Sequence, residues 1–161
     1  MHKTISHQSQ LALATALATQ NVRNGGGPFG AIIVTRDGRV FEGFNRVTAN
    51  NDPTAHAEVT AIRTACAETG TFDLSGAILY SSCEPCPMCL ASSLWARIGA
   101  VYFAADRHDA AEAGFDDAAF YEFFDTPVAE RSMPVIQLTI IDAGHLAPFT
   151  AWAALDSRIE Y

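Results

Sequence analysis

The stretch Ser81-Ser-Cys-Glu-Pro-Cys-Pro-Met-Cys-Leu90 places Cys86 and Cys89 in a C-x-x-C pair between an apolar run and an amphipathic run. The apolar run at 76–80 is typical of a buried strand, and the residues after the pair repeat at helical spacing. Pro87 suits the first turn of that helix, because the N–H that proline lacks has no partner there. The two thiols therefore lie at a helix N-terminus, where the helix dipole favours the thiolate form that binds metals.

Two thiolates do not complete a zinc site, and His56 is the predicted third ligand. It stands with Glu58 at the start of a helical pattern, after a turn that ends at Thr54, the expected helix cap. Both side chains belong to a first turn and converge just ahead of the helix axis. His56, Cys86 and Cys89 then make three ligands and leave the fourth position of a catalytic zinc to water. Glu58 is a carboxylate beside that water and need not be a ligand.

A fourth cysteine, Cys83, leaves a second interpretation open. With His56, Cys86 and Cys89 it would complete a closed Cys₃His site, which is typical of structural zinc and would make the chain a non-catalytic structural zinc protein. Two arguments disfavour this interpretation. Cys83 stands at the end of the predicted strand and is expected to face away from the helix tip, and a structural site gives no reason for Glu58.

Composition narrows the class of protein. The chain has 161 residues, 49% of them hydrophobic and 17% charged, which fits one globular domain over 1–161. Its net charge is −8 with only 10 Lys plus Arg, and this disfavours nucleic-acid binding because such surfaces neutralise phosphates. No apolar run approaches the ~20 residues of a membrane span, and the N-terminus lacks a signal-peptide layout. We therefore expect a cytoplasmic protein with a small-molecule partner, and no binding of nucleic acid or membrane.

Helical and strand patterns alternate along the chain. The predicted elements are a helix at 6–24, strands at 31–35 and 40–44, a helix from about 56 to 69, a strand at 77–81, a helix at 88–97, a strand at 100–104, a helical segment within 106–124, a fifth strand at 133–141 and a short helix at 148–156. Helices between successive strands favour a mixed sheet covered on both faces. The predicted fold class is α/β, with three α/β/α layers around a mixed five-stranded sheet.

The pattern His56-Ala-Glu58, followed after a strand by Pro85-Cys-x-x-Cys89, resembles the signature of zinc-dependent base deaminases. On these motifs the sequence resembles the cytidine deaminase superfamily, and within it the bacterial guanine deaminases. Four further segments carry the second resemblance and together span nearly the whole chain: 26–31, 51–60, 111–117 and 160–161. The resemblance implies a cytidine deaminase-like fold and a single zinc-dependent deaminase domain.

The resemblance also implies the reaction, which is hydrolytic deamination of guanine to xanthine and ammonia. Zinc lowers the pKa of water, and Glu58 passes the water proton to a ring nitrogen and then to the leaving amine. The same chemistry on guanosine, cytosine or a triazine analogue remains an alternative. Deamination of adenosine in tRNA is a further alternative, which the acidic composition disfavours.

Further site residues follow from the same resemblance. Asp117 is implied to face the substrate and carry protons, with Asp116 as the alternative, although a solvated helix start would also explain both acids. Phe29 is implied to pack against the purine and Asn45 to hydrogen-bond it, whereas the residues alone leave core packing and a turn open for these two. The remaining implied substrate contacts are Ala57, Trp95 and Tyr161.

The short final helix bears on assembly, because so short a helix could hardly be stable alone. The resemblance implies a homodimer in which the segment of about 145–161 is exchanged with the partner. It also implies that this tail closes over an active site, of its own or of the partner subunit, with Tyr161 near the substrate.

Overall fold

A mixed sheet of four strands organises the first part of the chain, in the order β2-β1-β3-β4. The computed structural model describes residues 6–138, 140 and 144–161. Strand β1 is antiparallel to β2 and to β3, whereas β3 and β4 are parallel. The elements up to residue 125 are α1 His7–Arg23, β1 Gly30–Val34, β2 Val40–Phe44, α2 Val47–Asn50, α3 Ala57–Thr69, β3 Ile78–Cys83, α4 Pro87–Trp95, β4 Ala100–Ala105, α5 Arg107–Glu112 and α6 Ala118–Asp125.

The central strand β1 is buried along its whole length, because helices cover both faces of the sheet. On one face, Ala31 and Ile33 pack with alanines of α3, and on the other Ile32 packs with Ala14 and Leu17 of α1. Burial of apolar side chains on both faces is the main stabilising term of such a layer structure. The predicted α/β class and mixed sheet are confirmed.

Helix α3 approaches β2 closely at Gly43. A Cβ atom on this glycine would collide with the carbonyl oxygen of Ala57 and would lie 2.5 Å from the backbone nitrogen of Ala61. The small side chains of Ala57 and Ala61 complete the contact, and both are fully buried. The first turn of α3 is therefore held against the sheet by backbone contact, with no side chain between them.

The predicted fifth strand is wrong for the residues that the structure describes. Residues 133–138 and 140 form no strand, while 139 and 141 lie outside the described residues. Side chains here are open to solvent, from 52% exposed at Val135 to 80% at Leu138. A run of β-branched residues favours a strand only where a neighbouring strand and a half-buried face receive its side chains. The described residues of this segment have neither.

Two compact units divide the chain, and the second begins at Glu122. Beyond the end of α6 it contains a short 3₁₀ helix, Val128–Glu130, and helix α7, Ala147–Ala154. The guanidinium of Arg131 lies 5.1 Å from the ring centre of Phe123 and donates to backbone carbonyl oxygens of the same unit. The single deaminase domain over 1–161 stays a prediction. No described helix is long and apolar enough to cross a membrane.

Candidate active site

A cavity of about 490 Å³ lies within the first unit, where β2 and β3 end and α3 and α4 begin. Its volume is in the range of small-molecule sites. Predicted site residues that line it are Phe29, Asn45, His56, Glu58, Cys86, Asp116 and Asp117. The cavity therefore brings together predicted site residues that are up to 88 positions apart in the sequence (29 to 117).

His56 and Cys86 are the N-cap residues of α3 and α4, and Cys89 lies in the first turn of α4. The Sγ atoms of the two cysteines are 3.6 Å apart, and the His56 Nδ1 atom is 3.6 Å from Cys86 Sγ and 3.5 Å from Cys89 Sγ. A tetrahedral zinc with Zn–S of ~2.3 Å and Zn–N of ~2.0 Å needs edges of roughly 3.5–3.8 Å between its ligands. These three residues thus form a nitrogen and sulfur donor set of the size that zinc requires.

The three donor groups of this cluster change one another's pKa values. The Cys89 thiol donates to Cys86, and this lowers the pKa of Cys86, helped by His56. The same contact raises the pKa of Cys89, and the Cys86 thiolate raises the pKa of His56. A bound metal ion displaces such protons, because it needs thiolates and a neutral imidazole.

Glu58 lies beside the three ligands and outside their group. It is 5% exposed, and burial raises its pKa. Its Oε1 accepts a hydrogen bond of 2.9 Å from the Ser81 hydroxyl, and its Oε2 lies 3.4 Å from Cys89 Sγ. A buried carboxyl group with a raised pKa, beside a candidate metal site, is a candidate general acid–base.

The paired acids Asp116 and Asp117 differ in their surroundings. Asp116 is exposed, whereas Asp117 is half-buried, and its Oδ1 is buried with no hydrogen-bond partner among the described residues. Burial raises the pKa of Asp117, and the Cys86 thiolate adds to this effect. A buried carboxylate oxygen without a partner at a cavity wall is a candidate ligand-binding atom, so the geometry favours Asp117 over Asp116.

Phe29 and Asn45 form another part of the cavity wall. The ring of Phe29 meets Phe115 edge to face, with ring centres 5.0 Å apart. The Oδ1 atom of Asn45 accepts a hydrogen bond of 3.3 Å from the N–H of Val47, which leaves the Nδ2 donors available to an acceptor in the cavity. This wall offers an aromatic face and an amide donor, which suits a planar heterocycle.

A sequence model of the cytidine and deoxycytidylate deaminase zinc-binding region matches residues 4–105, which include all three predicted ligands and Glu58. The chain belongs to this deaminase family.

Similar proteins extend the match beyond the zinc-binding region. Guanine deaminase of Bacillus subtilis is 51% identical over 158 residues, which is 98% of this chain and 100% of the relative, and its X-ray structure matches with a TM-score of 0.91 over 98% and 99% of the two chains. A structure of guanine deaminase from Nitrosomonas europaea is 31% identical, with a TM-score of 0.65 over 70% of this chain and 65% of that one. A tRNA-specific adenosine deaminase of Agrobacterium fabrum is 40% identical over 111 residues, 67% of this chain and 68% of the relative.

Cys83 does not join the zinc ligands of this deaminase. Its Sγ lies 3.5 Å from the carbonyl oxygen of Asp106, to which it donates, and burial raises its pKa to about 11. Among the described residues, the candidate metal-binding group consists of His56, Cys86 and Cys89. The closed structural zinc site is therefore disfavoured.

The sequence predicts three further substrate contacts, at Ala57, Trp95 and Tyr161. Ala57 is fully buried beneath Gly43, and Trp95 ends α4 with 63% of its surface exposed, outside the cavity lining. Tyr161 belongs to the second unit, where its ring meets that of Trp152 edge to face. Their contacts with a substrate stay predictions.

Sequence reasoning missed a group of side chains that fixes the Pro85–Cys86 loop. Arg107 donates to both carboxylate oxygens of Glu84, at 2.6 and 3.1 Å, and its guanidinium lies 3.8 Å from the ring centre of Tyr121. The Tyr121 hydroxyl donates to the Pro85 carbonyl oxygen at 2.7 Å. These contacts connect the loop to α5 and α6. Ser81 was also missed, although a pair of serines within a buried strand was a signal for a buried polar role.

Proposed function

We propose that this deaminase hydrolyses guanine to xanthine and ammonia. The likeness to guanine deaminase carries the choice of substrate, because it extends over 98% of the chain and includes the residues after 105. The likeness to tRNA-specific adenosine deaminase covers only 67% of the chain. A net charge of −8 also suits a small purine better than a tRNA.

In this proposal His56, Cys86 and Cys89 would hold zinc, which would lower the pKa of a water molecule and so supply a nucleophile near neutral pH. Glu58 takes one proton from the attacking water and passes it to a ring nitrogen. It then carries the proton of the new C2 hydroxyl group to the amine, which leaves C2 as the carbonyl forms. Ser81 orients this carboxylate through its bond to Oε1. Water adds its oxygen to C2 and ammonia leaves, so the products are xanthine and ammonia.

The cavity walls hold the purine in place during this exchange. Phe29 packs against the face of the ring system, and Asn45 donates from Nδ2 to a purine acceptor. Asp117 accepts from the purine edge through its unpartnered Oδ1 and serves as a second acid–base, supported by its raised pKa. A site built around such hydrogen bonds penalises a base that cannot form them, by roughly 10⁴ or more.

An ammonia-release assay on guanine, guanosine, cytosine, adenine and a triazine tests the substrate. We expect guanine to exceed each of the others in kcat/KM. Removal of 156–161 is expected to reduce guanine turnover with zinc still bound, because a closing tail excludes water and ribose. Faster turnover of guanosine than of guanine in the full chain would refute the free-base assignment and leave the zinc chemistry standing.

We also propose a homodimer that exchanges the segment of about 145–161. Within the second unit, α7 spans only eight residues, and its Phe149 side chain is 69% exposed. A helix this short and this exposed needs further packing to be stable. Sedimentation at micromolar concentration should give a mass of about twice 17.3 kDa, and a species of 17.3 kDa alone would contradict the proposal.

A further inference from the structure

Asn21 lies near the end of α1, outside the cavity lining, yet its side chain connects two segments that form the cavity wall. Its Nδ2 atom donates both hydrogens, one to the carbonyl oxygen of Gly27 at 2.8 Å and one to that of Asn45 at 2.9 Å. The residue is 3% exposed. An amide that satisfies two carbonyl groups of separate loops in a buried setting fixes the distance between those loops.

Backbone contacts strengthen this connection. The N–H of Gly26 donates to the carbonyl oxygen of Asn21 at 2.8 Å, and the N–H of Asn45 donates to that of Phe29 at 3.2 Å. Three lining segments are thus tied together: the glycine loop 25–27, Phe29 and Asn45.

The glycine loop also packs closely against the side-chain amides of Asn21 and Asn45. A Cβ atom on Gly26 would lie 2.5 Å from Asn21 Nδ2, and one on Gly27 would lie 3.0 Å from Asn45 Oδ1. The Asn45 side chain is therefore confined by Gly27 on one side and by the N–H of Val47 on the other. The position of the Asn45 side chain therefore depends on the Asn45 backbone, which the hydrogen bond from Asn21 holds in place.

We propose that Asn21 is a positioning residue for base specificity, which holds the backbone of Asn45 so that its Nδ2 donors meet an acceptor of the purine. This inference rests on the proposed function, since it requires Asn45 to contact the base. Asn21 does not reach the zinc ligands or Glu58 by any hydrogen bond among the described residues. Its loss is expected to affect recognition of the base more than the proton transfers.

The substitution Asn21→Asp tests this proposal. It keeps the shape of the side chain but replaces the two N–H donors by an oxygen, which faces two carbonyl oxygens. Asn24→Asp is the matched control, because it makes the same change three residues later at an exposed position of the same helix end. Rates are measured on guanine, on 2-aminopurine, which lacks the O6 acceptor, and on 7-deazaguanine, which lacks the N7 acceptor.

We expect Asn21→Asp to raise KM for guanine and to reduce the kcat/KM preference for guanine over one of the two analogues by roughly tenfold, the effect of about one hydrogen bond. Zinc content and kcat should stay close to those of Asn24→Asp. If the aspartate variant does not fold, Asn21→Ser makes the same comparison, because it removes a donor without adding charge.

An equal loss of kcat/KM on all three bases would indicate a purely structural role and overturn the inference. Unchanged preferences in a folded variant would do the same and would leave the proposed function intact if the natural chain deaminates guanine. A natural chain without activity on guanine would overturn both.

Discussion

Glu58→Gln should lower the turnover of guanine by at least the ~10²–10⁴-fold that a positioned acid–base contributes, and should retain both zinc and fold. The Ser81 hydroxyl lies 2.9 Å from Glu58 Oε1 in the natural chain, and the amide oxygen of a glutamine can still accept this hydrogen bond. The amide cannot take a proton from water, however, so the transfer to the purine has no carrier. Turnover is followed by ammonia release and zinc by elemental analysis.

Glu68→Gln provides the matched control, since Glu68 lies exposed on the same helix α3. The control should show the turnover of the natural chain. Near-normal turnover in Glu58→Gln would remove Glu58 from the mechanism. Asp117→Asn is a further comparison, and we expect a smaller loss there because the amide oxygen can still meet the purine edge.

Replacement of Cys86 or Cys89 by alanine should abolish metal binding and activity together. Each substitution removes one of three ligand atoms that lie 3.5–3.6 Å apart, and two remaining ligands do not make a catalytic zinc site. Elemental analysis should find about one zinc per natural chain and little in either variant.

Cys83→Ser separates the catalytic site from the closed structural one. A serine hydroxyl can replace the bond of the Cys83 thiol to the Asp106 carbonyl oxygen, so this variant should keep its zinc and its activity. If instead zinc is lost, Cys83 is a ligand, and the chain has the Cys₃His site that its sequence also allowed.

The sequence predicted most elements because their signals are local. Strand β2, Val40–Phe44, begins and ends at the predicted residues. The ends of the other three strands, and of helices α1, α3 and α4, differ from the predicted ends by at most two residues. The predicted N-cap of α3, Thr54, is wrong, and the reason is again a local interaction. The N-cap is His56, while Thr54 gives its N–H and hydroxyl to the Asp52 carboxylate in a turn of its own. The four-residue helix α2 was too short for any periodicity to show.

Hydrogen bonds between residues far apart in the sequence could not be predicted. The bonds from Ser81 to Glu58 and from Tyr121 to Pro85 join residues 23 and 36 positions apart, and no pattern in the sequence pairs them. Asn21 meets Asn45 across 24 positions in the same way. The choice of Asp117 over Asp116 likewise depends on which of two adjacent acids the fold buries. The resemblance of the motifs to a known family indicated the chemistry, and tertiary contacts decide how each group is held.

The backbone contact between β2 and α3 at Gly43 restricts which sequences can preserve this site. A methyl group at position 43 would push on the first turn of α3, whose N-cap is His56 and whose second residue is Glu58. We therefore expect every chain that keeps the His-x-Glu and Cys-x-x-Cys motifs in working geometry to have glycine at the aligned position. An alignment of active deaminases in which larger residues are common there would contradict this expectation.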